Sequence, residues 1–507
     1  MNGYGELYQY IAKHAQDNPE KPAVVSESIT YSYRQLIQQV EQLAESIFSV
    51  YPLERPIRLL SVCEQPEHNL LLALSMAKLN GTLIPLNSQT SAQKIKQAFE
   101  FVNADFVIID QEGVLSELKE KTLTWTALFA NSNKKNTMEK MNQAWSKNES
   151  FLICMSSGST GQAKPIVLSQ RAKLLRAKQS IKLYNLQPDD VVLNASPFFH
   201  SLGQRLTFVP LVAGATLVYL KHFTPSSWIE RVRQHKVTFT IPVASHLYAL
   251  QPWFEKHYLQ LQSLKCLVTS SAPIDVNFKK RMQEEIGCEF HEIYGASEVA
   301  SVTNLAPKDF AQKYTTVGQP IEGVSVAILD DAYTSLPIKQ VGEIAVKSPL
   351  RFTEYYAQPH LTEQSFAGDY FLTGDLGFID ADGFLTYVSR KKDVIISGGI
   401  NIYPIEVEKT LLATDLIKEV CVIGVEDKLL GEVVLAICVG DAKVEIQLRK
   451  QANIELLSYQ RPIRYFFVDS LPLTASGKVD KMRLRETYNA MNEDWTAAIR
   501  QMMYREF

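Results

Sequence analysis

The chain has 507 residues, more than one hydrophobic core usually serves, so we expect at least two domains. Its composition, 46% hydrophobic, 21% charged and 10% aromatic, is that of an ordinary globular protein. The formal net charge of -3, with no long run of Lys or Arg, argues against a nucleic-acid-binding protein.

The cysteines and the termini predict a cytoplasmic protein. None of the six cysteines forms a CxxC pair and most lie in apolar runs, which favours buried, reduced thiols over disulfides or a zinc site. The first 20 residues lack the apolar segment of a signal peptide, and no apolar stretch approaches the roughly 20 residues of a transmembrane helix.

Up to about residue 300, short apolar runs alternate with amphipathic stretches. This alternation predicts α/β layers in which parallel sheets are flanked by helices. The predicted helices include 70–79, 226–234 and 276–286. The predicted strands are 58–63, 82–86, 105–109, 151–155, 191–195, 216–219, 237–241, 266–270 and 289–293.

From about 315 to 390 the sequence changes character, because Gly and Pro separate short strand-like pieces at 324–329, 343–346 and 384–388. This pattern predicts a β-rich subdomain. After residue 393 the pattern predicts a small α+β unit. Its predicted helices are 405–412 and 446–457, and its predicted strands are 420–424, 433–439 and 464–468.

The most informative segment is Ser-Ser-Gly-Ser-Thr-Gly-Gln-Ala-Lys at 156–164, directly after an apolar strand. Glycines let backbone N–H groups point into one concavity, hydroxyls add donors, and Lys164 adds a positive charge, so the segment is suited to a polyphosphate. It is not a Walker A loop, since two residues separate Gly161 from Lys164. Taken alone, such a segment is more often a polar surface turn.

The segment does not stand alone, because further motifs follow it in order. These motifs are Tyr-Gly-Ala-Ser-Glu at 294–298, Thr-Gly-Asp at 373–375, Arg-Lys-Lys-Asp at 390–393, Ser-Gly-Gly at 397–399 and Pro-Leu-Thr-Ala-Ser-Gly-Lys at 472–478. Through them the chain resembles the adenylate-forming superfamily of acyl- and aryl-CoA synthetases, peptide-synthetase adenylation domains and luciferases, and within it the acyl- or aryl-acid CoA ligases.

The resemblance implies an N-terminal ATP- and acid-binding domain (1–391) made of two αβ-layered subdomains and a β-rich one. It also implies a small mobile C-terminal domain (392–507) with a hinge at Lys392. Lys478 would be the catalytic lysine, Glu298 the Mg²⁺ ligand, and Thr160 and His200 further catalytic groups. ATP would be bound by Ser156, Ser157, Gly158, Ser159, Thr160, Gly161, Lys164, Ser271, Ala272, Pro273, Tyr294, Gly295, Ser297, Asp375 and Arg390.

The chain departs from the family pattern near the phosphate segment. Ala163 and Pro165 stand where Pro and Gly are usual, and Pro165 removes a backbone donor. Ser297 replaces the usual Thr but keeps the hydroxyl. No charged catalytic group is lost, so we expect an active enzyme.

The resemblance also bears on the substrates. Amino-acid-activating relatives have an Asp after the Phe of the aromatic segment, whereas here His200 follows Phe199, so an α-amino acid, whose ammonium would be left unpaired, is disfavoured. A fatty or aryl acid is expected. The predicted pocket consists of His200, Ser201, Gly203, Ile241, Pro242 and Val243.

The thiol acceptor is less defined by the sequence. Ser397, Gly398 and Gly399 would line a tunnel for pantetheine, the arm that CoA and carrier proteins share, so a freestanding ligase that loads a carrier protein remains the alternative to a CoA ligase. A nucleotide-binding protein without catalysis and a luciferase-like oxygenase are minor alternatives. ATP, Mg²⁺ and CoA are the expected cofactors and partners.

Overall fold

The computed structural model describes residues 5–50, 56–110, 116–130, 150–156, 164–270, 274, 276–474, 478–491 and 495. In chain order the helices are α1 Glu6–Asp17, α2 Tyr33–Val50, α3 Pro66–Lys78, α4 Ala92–Phe101, α5 Trp125–Ala130, α6 Gln170–Leu183, α7 Ser201–Ala213, α8 Pro225–His235, α9 Ala244–Leu261, α10 Val276–Glu285, α11 Phe310–Lys313, α12 Pro359–Gln364, α13 Pro404–Leu412, α14 Glu445–Glu455 and α15 Lys481–Asn489. In the described part of the chain, no helix combines the length and apolar character needed to cross a membrane.

The strands form four sheets. The strands of the first three are β1 Pro22–Val25, β2 Thr30–Ser32, β3 Arg58–Val62, β4 Thr82–Pro85, β5 Phe106–Ile109, β6 Thr122–Thr124, β7 Leu152–Ser156, β8 Lys164–Leu168, β9 Val191–Asn194, β10 Thr216–Tyr219, β11 Phe239–Thr240, β12 Cys266–Thr269, β13 Glu289–Ala296, β14 Ala300–Leu305, β15 Gln319–Pro320, β16 Ser325–Leu329, β17 Gly342–Lys347, β18 Phe366–Ala367, β19 Tyr370–Ile379 and β20 Leu385–Arg390. The fourth sheet contains β21 Ile395–Ser397, β22 Ile400–Ile402, β23 Glu419–Asp427, β24 Gly431–Val439 and β25 Arg464–Val468.

The two larger sheets are mainly parallel. One has the order β15-β14-β13-β12-β11-β9-β10-β1-β2, and the other has the order β6-β5-β3-β4-β7-β8. Helix α3 is almost entirely buried and reads Leu-Leu-Leu-Ala-Leu through its centre. A helix that is apolar on all sides must be covered on all sides. Its leucines belong to one core cluster that also includes residues of both sheets, so the two sheets share a core.

The two smaller sheets follow in sequence. One is an antiparallel sheet that contains β16, β17, β18, β19 and β20. It corresponds to the β-rich subdomain predicted for residues 315–390. In the C-terminal sheet, alternate residues of β23 and β24 belong to two different core clusters. Because side chains alternate along a strand, this sheet is covered on both faces and has a core of its own.

The predicted α/β class is confirmed, and most predicted elements are present within one or two residues of their expected ends. The structure corrects one helix and three strands. The helix predicted at 70–79 begins at Pro66, and the strand predicted at 420–424 continues to Asp427. The strand predicted at 237–241 is reduced to Phe239–Thr240, and the one predicted at 289–293 continues to Ala296. The last difference arises because β13 keeps pairing with β14 through Ala296↔Ala300. Ten strands were not predicted: β1, β2, β6, β8, β14, β15, β18, β19, β21 and β22.

Candidate functional site

A cavity of about 1140 Å³ lies at the carboxyl ends of the parallel strands of the nine-stranded sheet. Ser196 follows β9, Ser270 follows β12, and Ala296 ends β13, and all three line it. In open α/β sheets this edge is where ligands bind. The antiparallel sheet contributes Thr373, Gly374 and Arg390, and the C-terminal part of the chain contributes Lys478.

The turn that carries Glu298 is held from behind by Arg176 of α6. The guanidinium donates to the carbonyl oxygens of Ser297 (3.0 Å), Glu298 (2.9 Å) and Leu350 (2.8 Å). A side-chain carbon at Gly295 would lie 2.0 Å from the carbonyl oxygen of Ala300, so only glycine allows the two strands to approach this closely. The position of Glu298 is therefore set by backbone contacts.

Glu298 is oriented by a tyrosine that the sequence did not single out. The hydroxyl of Tyr355 donates to Oε1 of Glu298 at 2.8 Å, and Nζ of Lys164 lies 5.3 Å from the centre of the Tyr355 ring. Burial, and then the negative charge of Glu298, raise the pKa of Tyr355, so the hydroxyl keeps its proton and remains a donor. An oriented carboxylate on a cavity wall matches the oxygen ligands that Mg²⁺ prefers.

Asp375 is the centre of a second cluster. It lies in the middle of β19 and is buried, and its Oδ2 accepts a hydrogen bond from the Tyr294 hydroxyl at 2.8 Å, while Nε of Arg390 lies 2.8 Å from its Oδ1. Burial raises the pKa of Asp375, and the charges of Arg390 and Lys478 act in the opposite direction. Gly374, with φ of 70°, lies in the irregular stretch of β19 between Leu372 and Leu376, which also contains Asp375.

Lys478 lines the cavity, and its neighbours form an antiparallel bridge. Its carbonyl accepts from the Thr474 amide at 2.7 Å, and Leu473 pairs with Val479. The surrounding protein and then the charge of Arg390 lower its pKa, while Asp375 acts in the opposite direction. Lys478 and Arg390 are thus two basic side chains on the same cavity wall, and the carboxylate of Asp375 favours the charged form of Lys478.

Lys392 lies between two anchored neighbours in the short helical turn Lys391–Asp393. Lys391 pairs with Glu343 at 3.0 Å and with Asp331, both of which precede it in the chain. Asp393 pairs instead with Arg485 of α15 at 3.1 Å, on the C-terminal side. Lys392 therefore lies at the boundary between residues whose ion pairs are with the N-terminal part of the chain and residues whose ion pairs are with the C-terminal part.

Only part of the predicted acid pocket faces the cavity. His200, Ser201 and Val243 line it, together with Arg205 and a stacked pair formed by Phe223 and His246, whose ring centres are 3.6 Å apart. Gly203, Ile241 and Pro242 are not among the lining residues that the structure describes. Gly203 instead packs on the carbonyl oxygen of Pro197, where a side chain would not fit.

Ser397, Gly398 and Gly399 form the tight turn between β21 and β22, and both glycines have positive φ (57° and 79°). The Gly398 amide donates to the carbonyl of Leu430. None of the three lines the cavity. In this structure the C-terminal part of the chain presents Lys478 to the cavity and keeps the glycine turn outside it.

Part of the predicted nucleotide site lies outside the described residues: Ser157, Gly158, Ser159, Thr160, Gly161, Ser271, Ala272 and Pro273. The residues that flank the phosphate segment are described. Ser156 ends β7 and pairs with Lys164 at the start of β8, and Lys164 lines the cavity. The sequence missed Tyr355, Arg176 and Arg205, none of which stands in a recognisable motif.

Two protein-family models match consecutive segments of the chain. The model of the AMP-binding enzyme family matches residues 11–356, and that of the AMP-binding enzyme C-terminal domain matches residues 406–478. The 2-succinylbenzoate–CoA ligase of Bacillus pumilus is 28% identical over 94% of this chain and 97% of its own. The indoleacetate–CoA ligase of Aromatoleum aromaticum is 29% identical, over 95% and 98% respectively.

Among further similar proteins, the fatty acid–[acyl-carrier-protein] ligase ScoC of Streptomyces coeruleorubidus is 25% identical over 95% of this chain and 96% of its own. ATP-bound MatB from Rhodopseudomonas palustris superposes with a TM-score of 0.86 at 25% identity, over 97% of this chain and all of that one. MenE from Bacillus subtilis with ATP and magnesium gives 0.84 at 25% identity, over 94% and 98%. The chain belongs to the AMP-binding enzyme family.

Proposed function

We propose that the protein is an AMP-forming acid–thiol ligase, which activates a carboxylic acid with ATP to an acyl adenylate and then transfers the acyl group to CoA. One observation carries the proposal. Lys478 extends toward Asp375 and Arg390 in the same cavity that Glu298 and His200 line. The cavity thus joins groups suited to a nucleotide, a metal ion and an organic acid.

The first step joins two anions. A carboxylate oxygen attacks the α-phosphorus of ATP, the bond to the bridging oxygen breaks, and pyrophosphate leaves. Negative charge accumulates on the α-phosphate oxygens, so a cation placed beside them lowers the barrier. Lys478 fulfils this role, and its charge is available because Asp375 offsets it only in part.

The remaining nucleotide contacts are assigned by position. Asp375 and Arg390 would hold the ribose hydroxyls. A carboxylate can accept about four hydrogen bonds, and Tyr294 and Arg390 occupy only two of these positions on Asp375, so it can accept further hydrogen bonds from the ribose. Tyr294 and residues 271–273 would enclose the adenine. Ser297, Thr160, Lys164 and the rest of the segment 156–164 would hold the phosphates. Bound at Glu298, Mg²⁺ would neutralise phosphate charge.

The second step needs a different surface of the C-terminal unit. A thiol attacks the acyl carbon and AMP leaves, while the glycine turn at 398–399 would guide the pantetheine arm. Because that turn lies outside the cavity when Lys478 faces it, we propose that residues 392–507 rotate as a mobile domain against 1–391 about Lys392. The divided anchoring of Lys391 and Asp393 supports a pivot there.

The acid is a fatty or aryl acid and not an α-amino acid. His200 stands where amino-acid-activating relatives have a carboxylate, and the pocket near it is bounded by Val243, Phe223 and His246. Burial lowers the pKa of His246 to about 4, so the ring is neutral and stacks on Phe223 as an apolar wall. CoA is the proposed acceptor. A phosphopantetheinyl carrier protein is the alternative, favoured by the similarity to a carrier-protein ligase.

The proposed compartment is the cytoplasm. All six cysteines are unpaired and five are buried, as the sequence predicted. Thiols persist in this form where the environment is reducing.

The test is a panel of fatty, aryl and dicarboxylic acids, incubated with ATP and Mg²⁺ and assayed for AMP and pyrophosphate. Each acid is tried with CoA and with a phosphopantetheinylated carrier protein. Acid-dependent AMP formation that CoA accelerates is expected. Acceleration by the carrier protein alone would select the alternative acceptor, and no AMP with any acid would favour nucleotide binding without catalysis.

A further inference from the structure

Three basic side chains converge behind the acid end of the cavity. A small second cavity of about 20 Å³ is lined by Lys173, Arg176, Gln204 and Arg205. It shares Ser201, Arg205 and Ala300 with the large cavity, so Arg205 stands at the border between the two. Arg205 lies one turn along α7 from Ser201, on the face that looks into the acid pocket.

The three basic side chains differ in their hydrogen-bond partners. Arg176 donates to three backbone carbonyls, and Nζ of Lys173 donates to Oε1 of Gln204. Arg205 donates to the hydroxyl of Ser301. Among the described residues, no carboxylate forms an ion pair with Arg205.

The cluster is electrostatically unfavourable as it stands. Burial lowers the pKa of Lys173 to about 7, and Arg176 and Arg205 act in the same direction. Burial likewise lowers the pKa of Arg205. A guanidinium has five donors, and one hydroxyl uses few of them, so removing it from water without a counter-charge costs free energy. An anion brought to Arg205 would relieve the cost for the whole cluster.

We propose that Arg205 binds a second carboxylate on the acid substrate, so that the enzyme activates one end of a dicarboxylic acid and holds the other. This inference rests on the proposed function and specifies its substrate class. The planar guanidinium matches a carboxylate through two parallel hydrogen bonds. The activated carboxylate lies toward Lys478, and the bound one lies against α7. A plain hydrocarbon tail of equal length would leave Arg205 without an anion.

The experiment compares diacids with monoacids of the same carbon number: succinate with butanoate, adipate with hexanoate, suberate with octanoate, and isophthalate with benzoate. ATP–pyrophosphate exchange is measured for the wild type, Arg205→Met and Arg205→Lys. Exposed Arg281 of α10 supplies the matched control, Arg281→Met. For the wild type, kcat/KM should favour the diacid in at least one pair by roughly tenfold or more.

In Arg205→Met the KM for that diacid should rise roughly 10- to 100-fold, the range of a lost charge-assisted hydrogen bond, while the KM for ATP is unchanged. Arg205→Lys should recover part of the loss, and Arg281→Met should match the wild type. A wild-type preference for every monoacid would overturn the inference. So would an equal loss of both acid classes in Arg205→Met with a raised KM for ATP, since that marks a structural role.

A failure of the proposed function is distinguishable from a failure of this inference. If the wild type turns over no acid, the ligase assignment fails. Calorimetric titration of the diacids into the protein with AMP then decides the role of Arg205: weaker binding in Arg205→Met supports it, and equal binding in the two proteins contradicts it.

Discussion

Replacing Lys478 with alanine tests the step on which the proposed chemistry depends. Lys478 faces a cavity whose wall carries Arg390, and the combined effect of burial and Arg390 outweighs that of Asp375, because its pKa is lowered. Lys478 and Arg390 therefore place two basic groups beside the carboxylate of Asp375. The electrostatic interaction of Lys478 with the two anions is most favourable when the acid and the α-phosphate approach each other.

The magnitude follows from Coulomb's law. Two unit charges about 4 Å apart interact by about 4 kcal/mol at the effective dielectric constant of a site near the surface. Removing one group that stabilises a developing oxyanion elsewhere costs about 3–4 kcal/mol, or roughly 100- to 1000-fold in rate. We expect Lys478→Ala to slow acid-dependent ATP–pyrophosphate exchange by that factor.

The assay measures exchange and, separately, thioester formation from a presynthesised acyl adenylate and CoA. The second reaction should be retained, because Lys478 would no longer face the cavity during thiol transfer. Lys443, whose side chain is 90% exposed on the same unit, gives the control Lys443→Ala, which should behave as the wild type. Near-normal exchange in Lys478→Ala, or equal loss of both reactions, would refute the assigned role.

Three further predictions concern the hinge, the carboxylate on the cavity wall and the buried basic cluster. Lys392→Pro should leave pyrophosphate exchange close to normal but block thioester formation, since proline fixes φ at the proposed pivot; a parallel loss of both activities would contradict a hinge. Tyr355→Phe removes the hydroxyl that orients Glu298 and should raise the Mg²⁺ concentration for half-maximal exchange by roughly tenfold; an unchanged Mg²⁺ dependence would contradict the role of Tyr355 in positioning a metal ligand. Burial lowers the pKa of Lys173 from 10.5 to about 7. Between these pH values the folded protein binds fewer protons than the unfolded chain, so the free energy of unfolding of the wild type rises with pH. Lys173→Met should therefore melt above the wild type at neutral pH, with a gap in melting temperature that narrows on going toward pH 10. A gap that stays constant would show that folded and unfolded Lys173 bind their proton equally well, and would contradict the lowered pKa.

The sequence was sufficient for the elements and for much of the chemistry. Apolar runs placed most of the predicted strands within a residue or two, because a buried strand needs a continuous apolar run whatever its neighbours are. Ten further strands were not predicted, among them β19, which carries Asp375. It failed where tertiary pairing extends a strand: β13 continues through Tyr294 to Ala296 because β14 pairs with it. Lys478, Asp375 and Glu298 could be chosen in advance because each stands in a motif with fixed neighbours.

The groups that orient those residues could be found only in three dimensions. Tyr355 reaches Glu298 across 57 positions, and Arg176 reaches Ser297 across 121. Nothing in the local sequence marks either residue, and Arg205 reads as an ordinary helical arginine. The sequence thus determined which groups can carry charge and which segments are strands or helices. The tertiary structure decided which charges meet and which lack a partner, because both depend on distances between segments that contact each other only after the sheets have packed.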